Sequence, residues 1–444
     1  MVFFTVMLCL AFSIILAYQG LKKTGIVFAL LWSTYAFEQV LQTSIPWFVS
    51  HGSIINVASA LLVCLGVGLR GLSLKKLFAQ RDPILWLYIL LFTYAAISTF
   101  WSYDSRAWTR VKSALPYFIV IGVLSPLCIN SWKDLEDTRK VMIVFGGLVL
   151  VAASLGTRVE SHSARSLQLA ETAINSRGRQ VLANPLAIAS FAGSVVTFAF
   201  LYLVATKKTS ERFLCLIAIF AGAVAMANSG SRGNIVAVGG SMLIGLYLLR
   251  KQLTVNGRLI AILLVLAVIC VGVWKISSDD RMLQRWSAET AVEAIQGRQQ
   301  SAWILVEEFR ETPDRWFFGL GSSASYYVAG FYIHMIQVEI LCELGIVGFS
   351  IYAAICLITF KNCFALVKMA KGSSQKTSIA VALSCCSLAV FITHAKSNTF
   401  LSTPDWYALN IVMSTMVRNQ KVFGHNPGYI MRPGWAGNPP ALMR

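Results

Sequence analysis

Thirteen stretches of this chain are apolar enough, and close enough to the roughly 20 residues a bilayer demands, to read as membrane spans. That pattern restricts the possible folds more than any motif does. The runs lie at 2–18, 25–42, 53–69, 83–100, 111–128, 141–156, 181–206, 213–229, 234–249, 259–276, 335–360, 377–394 and 404–418. The count falls to twelve if one early segment is re-entrant or two merge. Only 13% of the residues are charged, against 56% hydrophobic, whereas a soluble domain carries about 25% charged residues. A water-facing surface is not available from that composition, which excludes a soluble enzyme, a nucleic-acid factor and a disordered scaffold. The expected fold is all-α, a polytopic integral membrane protein with 12–13 transmembrane helices. The first run has neither a basic segment ahead of it nor a clear small-residue cleavage site, and reads as a retained span.

Lysine orients the spans. Lys22 and Lys23, Lys75 and Lys76, Lys133 and Lys140, Lys207 and Lys208, Lys251, then Lys361, Lys368, Lys371 and Lys376 occupy alternate connections. The positive-inside rule makes these cytoplasmic, together with the segment after Arg418. The connections 101–110, 157–180, 230–233, 277–333 and 395–403 then face outward. Sorted by side, the inner set holds 14 lysines and 9 arginines, the outer set 3 lysines and 12 arginines. Topology alone would deplete the outer face of both. Arginine retained there (Arg106, Arg110, Arg158, Arg165, Arg177, Arg179, Arg232, Arg281, Arg285, Arg298, Arg310 and Arg315) suits planar, bidentate recognition of phosphate or carboxylate. Snorkelling to the outer head groups is the competing explanation. The expected domains are a bundle over 1–276, an outer helical loop domain over 277–333, further transmembrane helices over 334–418 and a cytoplasmic tail over 419–444. The tail's Gly- and Pro-rich part, 424–444, is expected to be disordered.

The segment 277–333 carries most of the chemistry. Ala302, Leu305, Val306 and Phe309 recur at helical spacing, and Thr312-Pro313 stops that helix. Gly297-Arg298 is expected at its start, where free N–H groups and the helix dipole favour anions. Phe317 to Ser323, with Gly319 and Gly321, reads as a flexible turn beside the membrane. Tyr326, Tyr327, Phe331 and Tyr332 follow, either as an interfacial belt or as a face for stacking on sugars. Then come His334, at the mouth of the run 335–360, and Glu339 and Glu343 one helical turn apart just inside it. An ionisable residue within a span is costly and points to function by default. Glu339 is positioned to orient or charge His334, or to pair with an outer arginine. Gly345 and Gly348 read as sites of close helix approach.

Two other stretches put arginine at the outer ends of helices. Ser176-Arg177-Gly178-Arg179 precedes Val181 to Pro185, and Ser229-Gly230-Ser231-Arg232 separates two runs, which is also the pattern of a tight hairpin. The ten cysteines lie in or at the ends of apolar runs without a C-x-x-C, and read as buried apolar packing. There is no P-loop, H-E-x-x-H or G-x-S-x-G, and Asp279-Asp280, the only adjacent aspartate pair outside, has no metal cage around it. No metal, other cofactor or nucleic acid is expected. A proton-coupled transporter would place several carboxylates in mid-membrane, and Glu38 is the only isolated one deep in a run.

Taken together, these stretches resemble the O-antigen ligase and polymerase superfamily of bacterial inner membranes. His334, the nine residues 336–344, Gly345 and Gly348 resemble the ligase motif of His, a polar residue, nine residues, Gly, two residues and Gly. Gly297-Arg298, Trp303, Pro313 and Gly319-Leu320-Gly321 resemble the segment leading to that histidine; Arg177 through Asn184-Pro185, Trp101 to Asp104 and Ser231-Arg232-Gly233 also fit. The resemblance covers about residues 98–350. Two positions depart from it: Met335 stands where the family has a polar residue, and Val181 where it has Leu, so that either Arg177 or Arg179 is the family arginine.

The resemblance implies the fold of a C-type glycosyltransferase. It also implies metal-independent, inverting transfer of a glycan from undecaprenyl pyrophosphate to lipid A-core oligosaccharide, at the periplasmic face of the inner membrane. His334 would be the general base, with Arg177, Arg179, Arg232 and Arg298 on the pyrophosphate and Glu339, Trp303, Gly345 and Gly348 in support. The sister activity, polymerisation of lipid-linked repeat units, is the alternative. A transporter of lipid-linked glycans is the third.

Overall fold

The structure is a computed structural model that describes residues 2–70, 82–159, 167–169, 185–253, 257–263, 265–266, 277, 287–333, 335–395 and 399–423. Apart from a short antiparallel pair, Thr157–Val159 with Leu167–Leu169, the described elements are helical. In chain order the helices that matter here are α1 (Val2–Gly20), α2 (Thr24–Ser44), α3 (Ser53–Leu69), α4 (Pro83–Ser98), α5 (Ala107–Tyr117) and α6 (Trp132–Val141). They continue as α7 (Pro185–Leu203), α8 (Thr209–Asn228), α9 (Arg232–Leu249), α10 (Ala288–Glu311), α11 (Ala324–Ala329), α12 (Ile336–Met369), α13 (Ser374–His394) and α14 (Pro404–Phe423).

Among the described residues, ten helices are long and apolar enough to span a membrane, so the chain is a multi-pass membrane protein in contact with lipid. Three of the thirteen expected spans fall outside that ten. α3 is apolar but only 17 residues long. Most of 259–276 lies outside the described residues. α14 forms as a helix of 20 residues, but its polar residues lower its apolarity. Asn410, Ser414 and Thr415 are buried: the Ser387 hydroxyl reaches Asn410 Oδ1 at 2.6 Å and the Thr415 hydroxyl donates to Asp82 Oδ2 at 3.3 Å. α14 also runs on to Phe423, so residues 419–423, expected in the tail, are helical. The remainder, 424–444, lies outside the described residues.

The core sits around α2, α7 and α13, most of whose residues are buried, while α1 is largely exposed. Small side chains explain the close approach at α13, which packs on α7 and α9: Ser378, Ala380, Ala382, Ser384 and Ala389 are all buried. Helix starts follow local rules. Asp82 caps α4, its Oδ1 accepting from the Ile84 and Leu85 amides at 3.0 and 3.2 Å, with Pro83 at the first helical position. Ser131 and Asp134 form a capping box at α6. Glu38 is doubly bonded, accepting from Gln42 at 2.8 Å and from Asn56 on α3 at 2.9 Å. Ser229 to Ser231 form a tight hairpin between α8 and α9, with Gly230 at φ 60.

The two ends of the bundle differ. One carries Lys133, Lys208 and Lys376 beside helix starts, with Lys140 two turns along α6. The other carries residues 99–106, 229–231, 312–333 and 399–403, where the site described next is built.

Candidate functional site

α12 is not one continuous helix. Gly345 has φ 64 and ψ −167, which breaks the hydrogen-bond ladder. In an unbroken helix the Ile346 and Val347 amides would donate to the Cys342 and Glu343 carbonyls. Here those carbonyls accept from Leu320 at 2.9 Å and Gly321 at 2.8 Å, while the Ile346 and Val347 amides donate to Trp316 at 3.0 Å and Phe317 at 3.2 Å. Two helical bonds are exchanged for four to the 316–321 loop. The loop fits only because its contact points lack side chains. A Cβ at Gly345 would stand 2.4 Å from the Phe317 carbonyl oxygen, and one at Gly319 (φ +81) 2.2 Å from that of Glu343.

The other side of the loop is held by the end of α4 and the turn after it. Tyr94 donates to the Phe318 carbonyl at 3.0 Å, the Trp101 indole to Gly319 at 3.2 Å and the Ser102 hydroxyl to Ser322 at 2.6 Å. The Ser322 amide donates in turn to the Ser98 hydroxyl at 3.0 Å. Phe317 to Ser323 is therefore a pinned loop and not the flexible turn its glycines suggest. Those glycines serve close backbone approach.

From this frame the polar groups converge. Glu343, fully buried, accepts from the Ser323 and Ser325 amides at 2.7 and 3.0 Å and so anchors the start of α11. That short helix presents Tyr326. The Arg110 guanidinium on α5 lies 3.4 Å from the Tyr326 ring centroid and 5.4 Å from that of Tyr332, and pairs with Asp104 at 2.9 Å. Asp104 is set by a local turn: its amide donates to the Ser102 hydroxyl and its Oδ1 accepts from the Arg106 amide at 2.9 Å. Burial raises the Tyr332 phenol above its ordinary range despite Arg110 beside it, so it is a neutral hydroxyl at pH 7. The result is a cation stacked on aromatic rings, next to a buried carboxylate, at the mouth of α12. Such a site can hold an anion and present a ring face to a sugar.

Of the residues expected from sequence, His334, Arg177 and Arg179 lie outside the described residues. The chain neighbours of His334 are placed: Ile333 is buried in an apolar cluster with Leu305, Leu320 and Cys342, and Met335 precedes α12. Glu339 is fully buried and accepts a hydrogen bond from the Thr399 hydroxyl, a partner absent from the sequence reading. Arg232 opens α9, which packs on α7 and α13; Arg298 is carried by α10, which packs on α11 and α12. Trp303 is 54% exposed and its indole donates to Glu307 at 2.5 Å, one turn along α10.

Three expectations need correction. α10 begins at Ala288, so Gly297-Arg298 lies in mid-helix and Arg298 is not at the N-terminus of its helix. The alanines and glutamates of 288–296 extend the helix backwards, and one glycine does not stop it. The stripe from Ala302 to Phe309 is buried as expected, and the helix stops before Pro313. Gly345 serves a left-handed break and not helix–helix approach. At Gly348 the atom that a Cβ would strike is Leu344 Cβ of its own chain, at 2.2 Å.

The sequence reading left out Arg110 as a binding residue, although it stood among the outer arginines. It also left out Asp104, Thr399 and the pair His394 Nε2–Asp405 Oδ2 at 3.4 Å. Trp101 to Asp104 was the available signal for the first two; nothing local signals the others, because their partners are remote in sequence. No family model and no curated protein matches the chain.

Proposed function

We propose that the chain is an O-antigen ligase, a glycosyltransferase of the bacterial inner membrane with its active site facing the periplasm. Its donor is a glycan on undecaprenyl pyrophosphate and its acceptor lipid A-core oligosaccharide. The observation that carries the reading is the Arg110, Tyr326, Tyr332 and Glu343 cluster, anchored at the helix break of the same segment that holds the His334-to-Gly348 motif. In the reaction, the acceptor hydroxyl oxygen bonds to the anomeric carbon as the bond from that carbon to the pyrophosphate oxygen breaks. His334 takes the hydroxyl proton, and undecaprenyl pyrophosphate leaves with its charge held by guanidinium groups. Arg177, Arg179, Arg232 and Arg298 remain the proposed pyrophosphate ligands, and Arg110 joins them. Fixed guanidinium groups at the leaving group make the transfer independent of added metal.

The test is transfer by the purified full chain from a lipid-pyrophosphate-linked glycan to lipid A-core, resolved on a gel. A ligase labels lipid A-core; a polymerase lengthens the lipid-linked chain without it, and a transporter does neither. EDTA should leave the product unchanged, and loss restored by Mg²⁺ would count against metal independence. General-base catalysis contributes roughly 10²–10⁴-fold, so His334→Ala should lose nearly all product while still folding. Near-normal turnover would remove His334 from the mechanism.

A further inference from the structure

At the opposite, lysine-bearing end of the bundle, one face of α6 and the start of α13 border an open cavity of about 450 Å³. Trp132, Lys133, Glu136, Asp137, Lys140 and Lys376 line it, with Ile379 as a further apolar wall. We propose that this cavity binds a phosphate-bearing anion at the membrane surface.

The charges support that choice. Glu136 is already committed: Lys140 Nζ lies 2.7 Å from its Oε1, and the buried Arg139 approaches the same oxygen at 3.9 Å. That leaves Lys133 and Lys376 against one further carboxylate, Asp137. Two helix N-termini border the cavity and add positive potential. The side-chain donors on the wall are the lysines and Gln375, with the Ser373 hydroxyl, whose oxygen caps α13. The Trp132 indole nitrogen is itself buried with no hydrogen-bond partner among the described residues, so the ring meets the pocket through its carbon atoms.

The location and the size agree. Trp132 and Ser374 each begin a candidate membrane span, so the cavity lies at the level of the lipid head groups. Its volume falls within the range of small-molecule sites, about 300–1,000 Å³, and exceeds what one phosphate fills. Trp132 and Ile379 supply an apolar wall suited to the glycerol end of a phospholipid. Basic pockets between helices on the cytoplasmic side are where anionic head groups dock. A soluble phosphate compound offers the same chemistry, and experiment separates the two. Nothing in this site depends on glycosyl transfer.

The test uses the delipidated full chain in detergent, followed by native mass spectrometry. It is titrated with dioleoyl phosphatidylglycerol, dioleoyl phosphatidylcholine and, separately, inorganic phosphate. Phosphatidylglycerol should bind in preference to phosphatidylcholine, and the Lys133→Gln/Lys376→Gln double variant should weaken that binding roughly 30-fold. Lys133→Arg/Lys376→Arg should retain it. The exposed pair Lys361→Gln/Lys371→Gln, elsewhere on the same end, should change it by less than about threefold. Phosphate binding that needs Lys133 and Lys376, without lipid preference, would support the site and assign it to a soluble anion. Equal loss in both glutamine pairs, or no dependence on Lys133 and Lys376 for any probe, would overturn it.

Discussion

Replacing Gly345 by alanine should release the 316–321 loop, and the structure supplies the magnitude. Gly345 sits at φ 64 and ψ −167, a region essentially reserved for glycine, and another residue there costs about 1–3 kcal/mol. The added Cβ also meets the Phe317 carbonyl oxygen at 2.4 Å and the Gly319 nitrogen at 2.5 Å, both backbone atoms that cannot swing away. A competing conformation is at hand: if the loop leaves, α12 can close its own ladder, and alanine favours a helix over glycine by about 1 kcal/mol. Strain and helix preference together favour the open form by about 2–4 kcal/mol, or roughly 30- to 1,000-fold in population. Hydrogen exchange of the full chain in lipid nanodiscs, read by mass spectrometry over 316–321 and 342–347, measures this directly. Exchange over 316–321 should accelerate by that factor, while 342–347, closed into the helix, stays protected along with α7 and α13. Gly239→Ala, where a Cβ meets open space, is the control. Unchanged exchange over the loop in Gly345→Ala would refute the idea that the left-handed break holds the loop in place.

Three further outcomes follow from the same site. Arg110→Lys keeps a charge for Asp104 but loses the planar stack on Tyr326; transfer activity should fall about tenfold, while Arg106→Lys, on the exposed side of the same turn, should match wild type. Glu343→Gln sets an amide donor against the Ser323 or Ser325 N–H, which costs about 1–3 kcal/mol locally; exchange over 323–329 should quicken, and protection equal to wild type would show that the carboxylate does not hold α11. Gly297→Ala should stabilise α10 by about 0.5–1 kcal/mol, seen as slower exchange across 292–302, because nothing lies within 4 Å of the added methyl; faster exchange would mean that this glycine serves something other than the helix.

Much of the architecture is legible in the chain because membrane spans and helix stops are local properties. The ten spanning helices follow from apolar run length, the end of α10 from Thr312-Pro313, and its buried face from the spacing of Ala302, Leu305 and Phe309. The 229–231 hairpin follows from Gly230. The start of α10 did not, since a glycine inside a helix and a glycine before one look alike when helix-forming residues flank both sides. The role of Gly345 was hidden for a related reason: the apolar run continues across it, and its distinguishing partner, the Phe317 to Gly319 backbone, lies some 26 residues earlier in the chain. Arg110 was visible as an outer arginine, but its rings come from residues 326 and 332, more than 200 positions away.

The break in α12 also explains why the site is where it is. Backbone groups freed inside a membrane protein must find partners, because lipid offers none. A helix interrupted at Gly345 leaves two carbonyls and two amides to satisfy, and one extended loop with bare glycine backbone can meet all four at once. That requirement fixes the loop against α12, and Tyr94, Trp101 and Ser102 then fix the loop against α4. Once both sides are set, Glu343 can cap α11 from inside the bundle, and α11 can bring Tyr326 over Arg110. The order of dependence runs from the glycine to the arginine. A substitution at Gly345 should therefore disturb the Arg110 stack from a distance, whereas Arg110→Lys should leave exchange over 316–321 as it is. If both variants loosened the loop equally, the aromatic cluster would be holding the break open, and the dependence would run the other way.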